Sequence, residues 1–179
     1  LADGGFIVVW EDPSAGQRGS IMSQRFDAQG NKLGGNIEIA AGNAGQALGE
    51  AVDVDDPHVV GTEDGGFVIS WKRETGYTAE LENVTVHGTN IDLFAQRYDE
   101  NGSRIGEPVL LSPSPADDKA LQFDATMAVQ PDGTIIVASS FGVPSYFDPL
   151  GENAGYTIVQ RHFSSASPEF VGELIGNEN

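Results

Sequence analysis

The sequence predicts an all-β fold of antiparallel four-stranded repeats, each with the make-up of a β-propeller blade. Two short motifs recur in the same order, and β-branched or aromatic runs alternate with glycine-containing turns. Glycine contributes 23 of the 179 residues, which suits many tight turns, and no segment keeps a helical period beyond two turns. We therefore expect almost no helix. An open stack of β-repeats and a β-sandwich are the alternatives.

The first motif is a turn followed by an apolar strand. It reads Asp-Gly-Gly-Phe-Ile-Val-Val-Trp at 3–10 and Asp-Gly-Gly-Phe-Val-Ile-Ser-Trp at 64–71. A degenerate third copy, Asp-Gly-Thr-Ile-Ile-Val-Ala-Ser, occupies 132–139. An Asp-Gly turn opening a β-branched and aromatic run is typical of a buried strand, so this is strand one of each unit. Trp10 and Trp71 end these strands, and we expect them to pack in the core.

The second motif combines strand two with a hairpin turn. It reads Gln-Arg-Phe-Asp-Ala-Gln-Gly at 24–30 and Gln-Arg-Tyr-Asp-Glu-Asn-Gly at 96–102, and it shortens to Gln-Arg-His-Phe at 160–163. Strand three follows at 37–40 and 108–111, and strand four at 58–60 and 123–129. These elements divide one all-β region, 1–179, into units at about 1–61, 62–130 and 131–179. Three units are fewer than a ring of propeller blades needs, so we expect the chain to be a fragment of a larger protein.

The charge balance excludes two classes of partner. There are 27 acidic and 9 basic residues, for a net charge of −18. Such a surface repels nucleic acid and anionic lipid, and no apolar run is long enough to insert into a membrane. The absence of cysteine excludes disulfides, a thiolate zinc site and a cysteine nucleophile.

The two motifs together resemble repeats of large, type I-secreted bacterial surface and adhesin-like proteins of the RTX kind. The resemblance rests on 3–10 with 24–34 and on 64–71 with 96–106, and it extends weakly to 132–163. It implies a secreted or cell-surface protein. The glycine-rich nonapeptide that binds calcium in RTX proteins does not occur in the sequence, so the resemblance carries no calcium ligands.

A calcium site is nevertheless one interpretation of the acidic segment Asp53-Val54-Asp55-Asp56-Pro57. Asp53 and Asp55 would lie on one side of an extended chain, where a hard cation could bridge their carboxylates, with Asp56 as a third ligand. The alternative is a solvated acidic turn. Asp117-Asp118 looks like the comparable segment of the next unit.

Arg25, Arg97 and Arg161 recur at one position of the second motif. We expect a structural role in which each arginine pairs with a carboxylate on a neighbouring strand or unit. Asp27 and Asp99 are candidate partners because they follow on the same strand face. A ligand-binding ring of arginines is the alternative.

The connection between strands one and two is longer in the second and third units than in the first. Equivalent loops of a propeller share one face, and loops on a rigid scaffold commonly bind ligands, so we expect a protein or glycan surface to bind there. A flexible loop without a partner is the alternative. The candidate ligand-binding residues are the aromatic and histidine side chains of these insertions: Tyr77, His87, Tyr146, Phe147 and Tyr156.

No catalytic constellation is visible. The three histidines, His58, His87 and His162, show no metal-ligand spacing, and there is no Gly-x-Ser-x-Gly segment. The sequence therefore predicts that the chain is not an enzyme. It predicts a non-catalytic secreted or cell-surface module for adhesion, assembly or ligand binding, with self-assembly as one mode. The binding or scaffold portion of a larger secreted hydrolase is the alternative.

Overall fold

The computed structural model contains eleven β-strands and no helix within the residues it describes, which confirms the all-β class. The backbone is described for residues 1–13, 19–42, 52–81, 84–111, 121–130, 134–142, 156–164 and 172–176. Within these ranges the side chains of 77–81, 84–90, 121–125, 139–142, 156–164 and 172–176 are not described. The strands are β1 Phe6–Glu11, β2 Ser20–Phe26, β3 Lys32–Ala41, β4 Val52–Gly61, β5 Phe67–Leu81, β6 Val84–Tyr98, β7 Arg104–Leu110, β8 Leu121–Val129, β9 Thr134–Gly142, β10 Tyr156–Ser164 and β11 Gly172–Gly176.

The strands pair with their sequence neighbours into three antiparallel groups. The first sheet is β1-β2-β3. The other eight strands form one hydrogen-bonded sheet made of two antiparallel groups, β4-β5-β6-β7 and β8-β9-β10-β11, which we call the second and third sheets. The second and third sheets touch through one parallel pair, Ile91 with Leu121. The fourth strand of the first sequence unit, β4, thus belongs to the second sheet. The sheets do not close on one another, so the propeller stays a prediction.

The two glycines of the Asp-Gly-Gly turn are required for different reasons. The first adopts a positive φ, 78° at Gly4 and 84° at Gly65, which glycine adopts without steric cost. The second lies against the neighbouring strand. A Cβ at Gly66 would come within 2.4 Å of the Tyr98 carbonyl oxygen, and one at Gly5 within 2.5 Å of the corresponding oxygen of Phe26. The motif therefore requires glycine at both positions.

The glutamine of the second motif holds a β-bulge. The pairing of β6 with β7 shifts register between Ala95 and Arg97. The buried Gln96 amide fills this irregularity, because its Nε2 donates to the carbonyls of Arg97 at 2.8 Å, Ile105 at 3.0 Å and Gly106 at 3.3 Å. Gln24 makes the same three bonds at the bulge between β2 and β3.

The arginine of the second motif pairs with the aspartate of the first. Arg25 Nη2 lies 2.8 Å from Asp3 Oδ2, and Arg97 Nη2 lies 2.5 Å from Asp64 Oδ2. The expected structural pairing is therefore present, but its partner is the Asp-Gly-Gly turn. Asp27 and Asp99 instead close their own hairpins by accepting backbone N–H groups two and four residues ahead.

Two apolar layers hold the sheets together. Ile21 and Ile39 of the first sheet pack against the Phe67, Ile69 and Trp71 face of β5. The opposite face of the second sheet packs on the third sheet through a separate cluster. Its buried members are Val68, Leu93, Ala95, Leu111, Ile135 and Val137. Residues 67–71 of β5 are thus buried on both faces, which explains why this segment is apolar apart from Ser70.

The first copy of the apolar strand departs from this pattern. Phe6 is 46% exposed and Val8 is 42% exposed, whereas their counterparts Phe67 and Ile69 are at most 2% exposed. The expectation of a buried strand is therefore wrong for one face of β1. The physical reason is that Phe67 and Ile69 lie beneath the first sheet, while β1 pairs with β2 alone within the described chain.

In the third unit, the strand pairing aligns the second motif differently from the sequence comparison. Phe6 faces Phe26 and Phe67 faces Tyr98, and in the third sheet Ile135 faces Phe163. Phe163, and not His162, therefore takes the aromatic position. Arg161 consequently stands at the register position of the motif's glutamine.

Candidate functional site

Strand β4 contains a bulge at the acidic segment singled out from the sequence. Its register against β5 shifts between Asp55 and His58. Asp56 lies in the bulge with φ of 52°, the one positive φ outside glycine in the described chain. Residues other than glycine rarely adopt this conformation, and those that do concentrate at functional positions. The bulge is therefore the first place to look for a site.

Carboxylates gather around a lysine at this bulge. Lys72 Nζ lies 3.6 Å from Asp55 Oδ1 and 3.5 Å from Asp56 Oδ2, and its side chain is 18% exposed. The backbone N–H of Asp56 donates to Glu11 Oε1 at 2.8 Å, which links the first sheet to the second. We call this group the β4 bulge cluster; it comprises Glu11, Asp53, Asp55, Asp56, Lys72 and Glu74. The imidazole of His58 borders it, 3.3 Å from Asp56 Oδ1.

Two carboxyls of the β4 bulge cluster resist ionisation. Burial raises the pKa of Asp55, and the negative charges of Glu11 and Asp56 raise it further against the opposing effect of Lys72. Burial also raises the pKa of Glu74, assisted by the charges of Asp55 and then Asp53. Elevated carboxyl pKa values of this origin are typical of groups that donate or hold a proton.

The three predicted metal ligands lie near one another on β4, but they do not form a metal-binding arrangement. Asp53 and Asp55 pair with Glu74 and Lys72 of β5, so they lie on one strand face as expected. Asp56 sits in the bulge beside them. In the part of the chain that the structure describes, no group of three acidic or histidine side chains is arranged to hold a metal ion. Calcium at Asp53, Asp55 and Asp56 stays a prediction, and Lys72 supplies the positive charge there.

Several members of the cluster were not found from the sequence. Glu11, Lys72 and Glu74 join it only through strand pairing and sheet packing. A comparable aspartate in the next sheet was also missed: β8 shifts register between Phe123 and Ala125, which places Asp124 in its bulge. A signal existed, because Asp56 and Asp124 each stand eight positions before the aspartate of an Asp-Gly turn. The pair chosen as comparable, Asp117-Asp118, lies outside the described residues.

The predicted ligand-binding residues lie on strands where their backbone is described. The enlarged connection of the second unit is an extension of β5 and β6, in which Tyr77 pairs with Gly88 and His87 with Thr78. Tyr156 opens β10 opposite Gly142. Tyr146 and Phe147 lie outside the described residues. The expectation of a loop is therefore wrong for the second unit, because the added residues continue the β5–β6 ladder.

The comparisons with known proteins yield a structural likeness. No protein-family model matches the sequence, and no curated protein does. Among solved structures, the chain is similar to an endo-arabinase from Bacteroides thetaiotaomicron VPI-5482, with a TM-score of 0.52 and 15% sequence identity. The match covers 98% of this chain and 57% of that enzyme, so the chain spans little more than half of its structural neighbour. At this identity the likeness concerns the fold.

This likeness corrects one prediction. We expected from the sequence that the chain is not an enzyme, and the structural neighbour that shares its fold is an enzyme. We had excluded an enzyme because short catalytic motifs are missing, but carboxylate chemistry needs no such motif, since its groups converge from separate strands.

In the described chain, no helix has the length and apolar character to cross a bilayer.

Proposed function

We propose that the chain is the substrate-binding and scaffold portion of a larger secreted hydrolase that acts on a carbohydrate polymer. The observation that carries this proposal is the fold shared with an endo-arabinase over 98% of the chain. It is the alternative that the sequence left open. An adhesion or assembly module has less support, since no comparison with such a protein favours it. Secretion is part of the proposal and is motivated by the RTX-like repeats.

In this proposal the three sheets are consecutive blades of a β-propeller. The supporting features are the sequential antiparallel pairing of the strands and the face-to-face stacking of the sheets. The ends of the sheets converge on a hollow of about 410 Å³, bordered by Leu1 ahead of β1 in the first sheet, Gly61 of β4 in the second and Val129 of β8 in the third. Such convergence is what blades around a common axis require.

The β4 bulge cluster is the proposed contact for sugar. Carboxylates accept hydrogen bonds from sugar hydroxyls, and the Lys72 ammonium can donate to ring or glycosidic oxygens. Glycoside hydrolysis needs two carboxyls in different protonation states. Burial raises the pKa of the Asp55 carboxyl, and the adjacent Asp56 carboxyl contacts Lys72 and His58. The substrate class proposed is an arabinose polymer, after the name of the structural neighbour.

The test is retention of the full chain by polysaccharide. In native affinity electrophoresis, linear arabinan in the gel should slow the parent chain, and a panel of other polymers should show whether the preference is for arabinose. Asp55→Asn and Glu74→Gln should each weaken retention by about tenfold, the effect of losing one charge-assisted hydrogen bond to the ligand.

Glu107→Gln is the matched control, because Glu107 is exposed on β7, away from the cluster, and the change removes the same charge. It should migrate like the parent. Absence of retention by every polymer in the panel would overturn the proposal, as would equal losses in the cluster variants and in Glu107→Gln. Release of reducing ends, measured in parallel, reports whether the chain also cleaves its ligand.

A further inference from the structure

The sheet that contains the β4 bulge cluster continues into a two-stranded ribbon. The last residue of β5 that pairs with β4 is Thr75, opposite Val52. Beyond it, in the part of the chain that the structure describes, residues 76–81 of β5 pair only with residues 84–89 of β6. We call these two segments the β5–β6 ribbon. A two-stranded ribbon is only marginally stable by itself, so contacts made by its faces contribute to its order.

The register of the β5–β6 ribbon separates its residues by polarity. Successive residues of a strand alternate between its two faces, and directly paired residues share a face. One face of the ribbon therefore carries residues with hydrogen-bonding side chains, and the other carries mainly apolar residues. The polar face has Thr78 paired with His87, Glu80 paired with Thr85, and Thr89 paired with Gly76. The apolar face has Tyr77, Ala79, Leu81, Val84 and Val86.

The two faces of the ribbon continue two different surfaces of the second sheet. The apolar face is on the side of β5 that carries Trp71, which packs against the first sheet. The polar face is on the side that carries Lys72 and Glu74, two members of the β4 bulge cluster. Asp55 and Asp53 stand opposite these two residues on β4. The polar face is therefore continuous with the proposed contact for sugar.

We infer that the polar face of the β5–β6 ribbon is the second part of one elongated binding surface, which begins at the β4 bulge cluster and takes a segment of a carbohydrate polymer several sugar units long. From Glu74 to Glu80 the strand advances six residues, or about 20 Å at about 3.3 Å per residue. A single sugar ring at the cluster would leave most of this length uncovered. The inference rests on the proposed function, because it takes the class of ligand from there.

The composition of the polar face suits a polyhydroxylated ligand. Threonine hydroxyls and imidazole both donate and accept hydrogen bonds, and a carboxylate accepts them, which matches the donors and acceptors of sugar hydroxyls. Of the residues predicted from the sequence to bind a ligand, His87 belongs to this face and Tyr77 to the other. The buried core of a protein–protein contact is mostly apolar, so a protein partner would favour the opposite face.

The test compares the two faces of the ribbon by native affinity electrophoresis of the full chain. Thr78→Val combined with Glu80→Gln removes a hydroxyl and a charge from the polar face. Retention by linear arabinan should weaken by about tenfold, as the loss of about two hydrogen bonds gives. Thr75→Val is the matched control, because it makes the same change on the same strand but on the opposite face, and it should migrate like the parent.

Ligand length and hydrogen exchange give two further readouts. A disaccharide of arabinose is too short to reach from the cluster to the end of the ribbon, so it should release the parent and the double variant from arabinan at equal concentrations. When arabinan saturates the parent, the backbone amides of 76–81 and 84–89 should exchange with solvent more slowly, and the double variant should lose this protection.

The outcomes separate this inference from the proposed function. Equal retention of the double variant and the parent, together with losses in Asp55→Asn and Glu74→Gln, would overturn the inference and leave the proposed function in place. A loss in Thr75→Val as large as that in the double variant would also overturn it, because the two faces would then not differ. Absence of retention of the parent by every polymer would overturn the proposed function, and the inference with it.

Discussion

At the scale of single residues, the repeated motifs are explained by the hydrogen bonds that the backbone requires at its bulges and turns. Gln96 and Gln24 satisfy carbonyls at bulges, and Arg97 and Arg25 secure the Asp-Gly-Gly turns. These residues recur in the first two units because both units have the same bulge and turn to stabilise. Function is therefore better sought at positions that differ between units, such as Asp55 and Lys72 of the β4 bulge cluster, which the third sheet replaces by Phe123 and Ser140.

Replacing the amide donor of Gln96 tests this structural role. Gln96→Glu keeps the shape but directs a carboxylate at three carbonyl oxygens, and we expect a loss of about 2–4 kcal/mol in the free energy of unfolding at pH 7. Denaturant unfolding measures it. Gln29→Glu makes the same change at an exposed turn and should lie within about 0.5 kcal/mol of the parent. Equal stability of the two variants would contradict the role assigned to Gln96.

At the scale of elements, the hairpin turn decides whether strand one can approach strand two. Gly66→Ala would place a Cβ 2.4 Å from the Tyr98 carbonyl, so β5 and β6 must move apart at that end. We expect thermal unfolding to show a loss of about 2–4 kcal/mol. Gly35→Ala is the control, because nothing lies within 4 Å of its Cβ and its φ is ordinary. A Gly66→Ala chain as stable as Gly35→Ala would show that the approach is not tight.

At the scale of the whole molecule, acidic groups set the dependence of stability on pH. Asp55, Glu74 and Asp92 have pKa values raised mainly by burial, so the folded chain binds protons more readily than the unfolded chain at these groups. Their protonation favours folding, and this stability is lost as the pH rises through their folded pKa values. The pKa of Asp64 is shifted in the opposite direction, so its effect on stability is also opposite. Hydrogen bonds from Thr62 and Gly66, with the Arg97 ion pair, lower its pKa, and its stabilisation is lost only below about pH 4.

We therefore expect the melting temperature of the chain to be higher at pH 5 than at pH 7. Differential scanning calorimetry at the two pH values measures this. Asp55→Asn combined with Glu74→Gln should reduce the difference, while Glu107→Gln should retain it. A parent chain that melts at a lower temperature at pH 5 would reverse the sign assigned to these carboxyls.

The sequence by itself determined the all-β class, the hairpin turns and the strands other than the extended ends of β5 and β6. These depend on local properties: β-branched runs alternate with residues that tolerate positive φ, and each turn carries its own hydrogen-bonding side chain. The recurrence of these local signals also predicted the repeat and a structural role for its arginines.

Only the tertiary structure decided which strands share a sheet, which face of β1 is exposed and which residues surround Asp55. Glu11, Lys72 and Glu74 reach the bulge from other strands, and their convergence depends on strand register and sheet packing. Phe6 and Phe67 both follow an Asp-Gly-Gly turn, yet one is exposed and the other buried. The physical reason is that burial is a property of the neighbours a strand acquires on folding, and local sequence does not encode them.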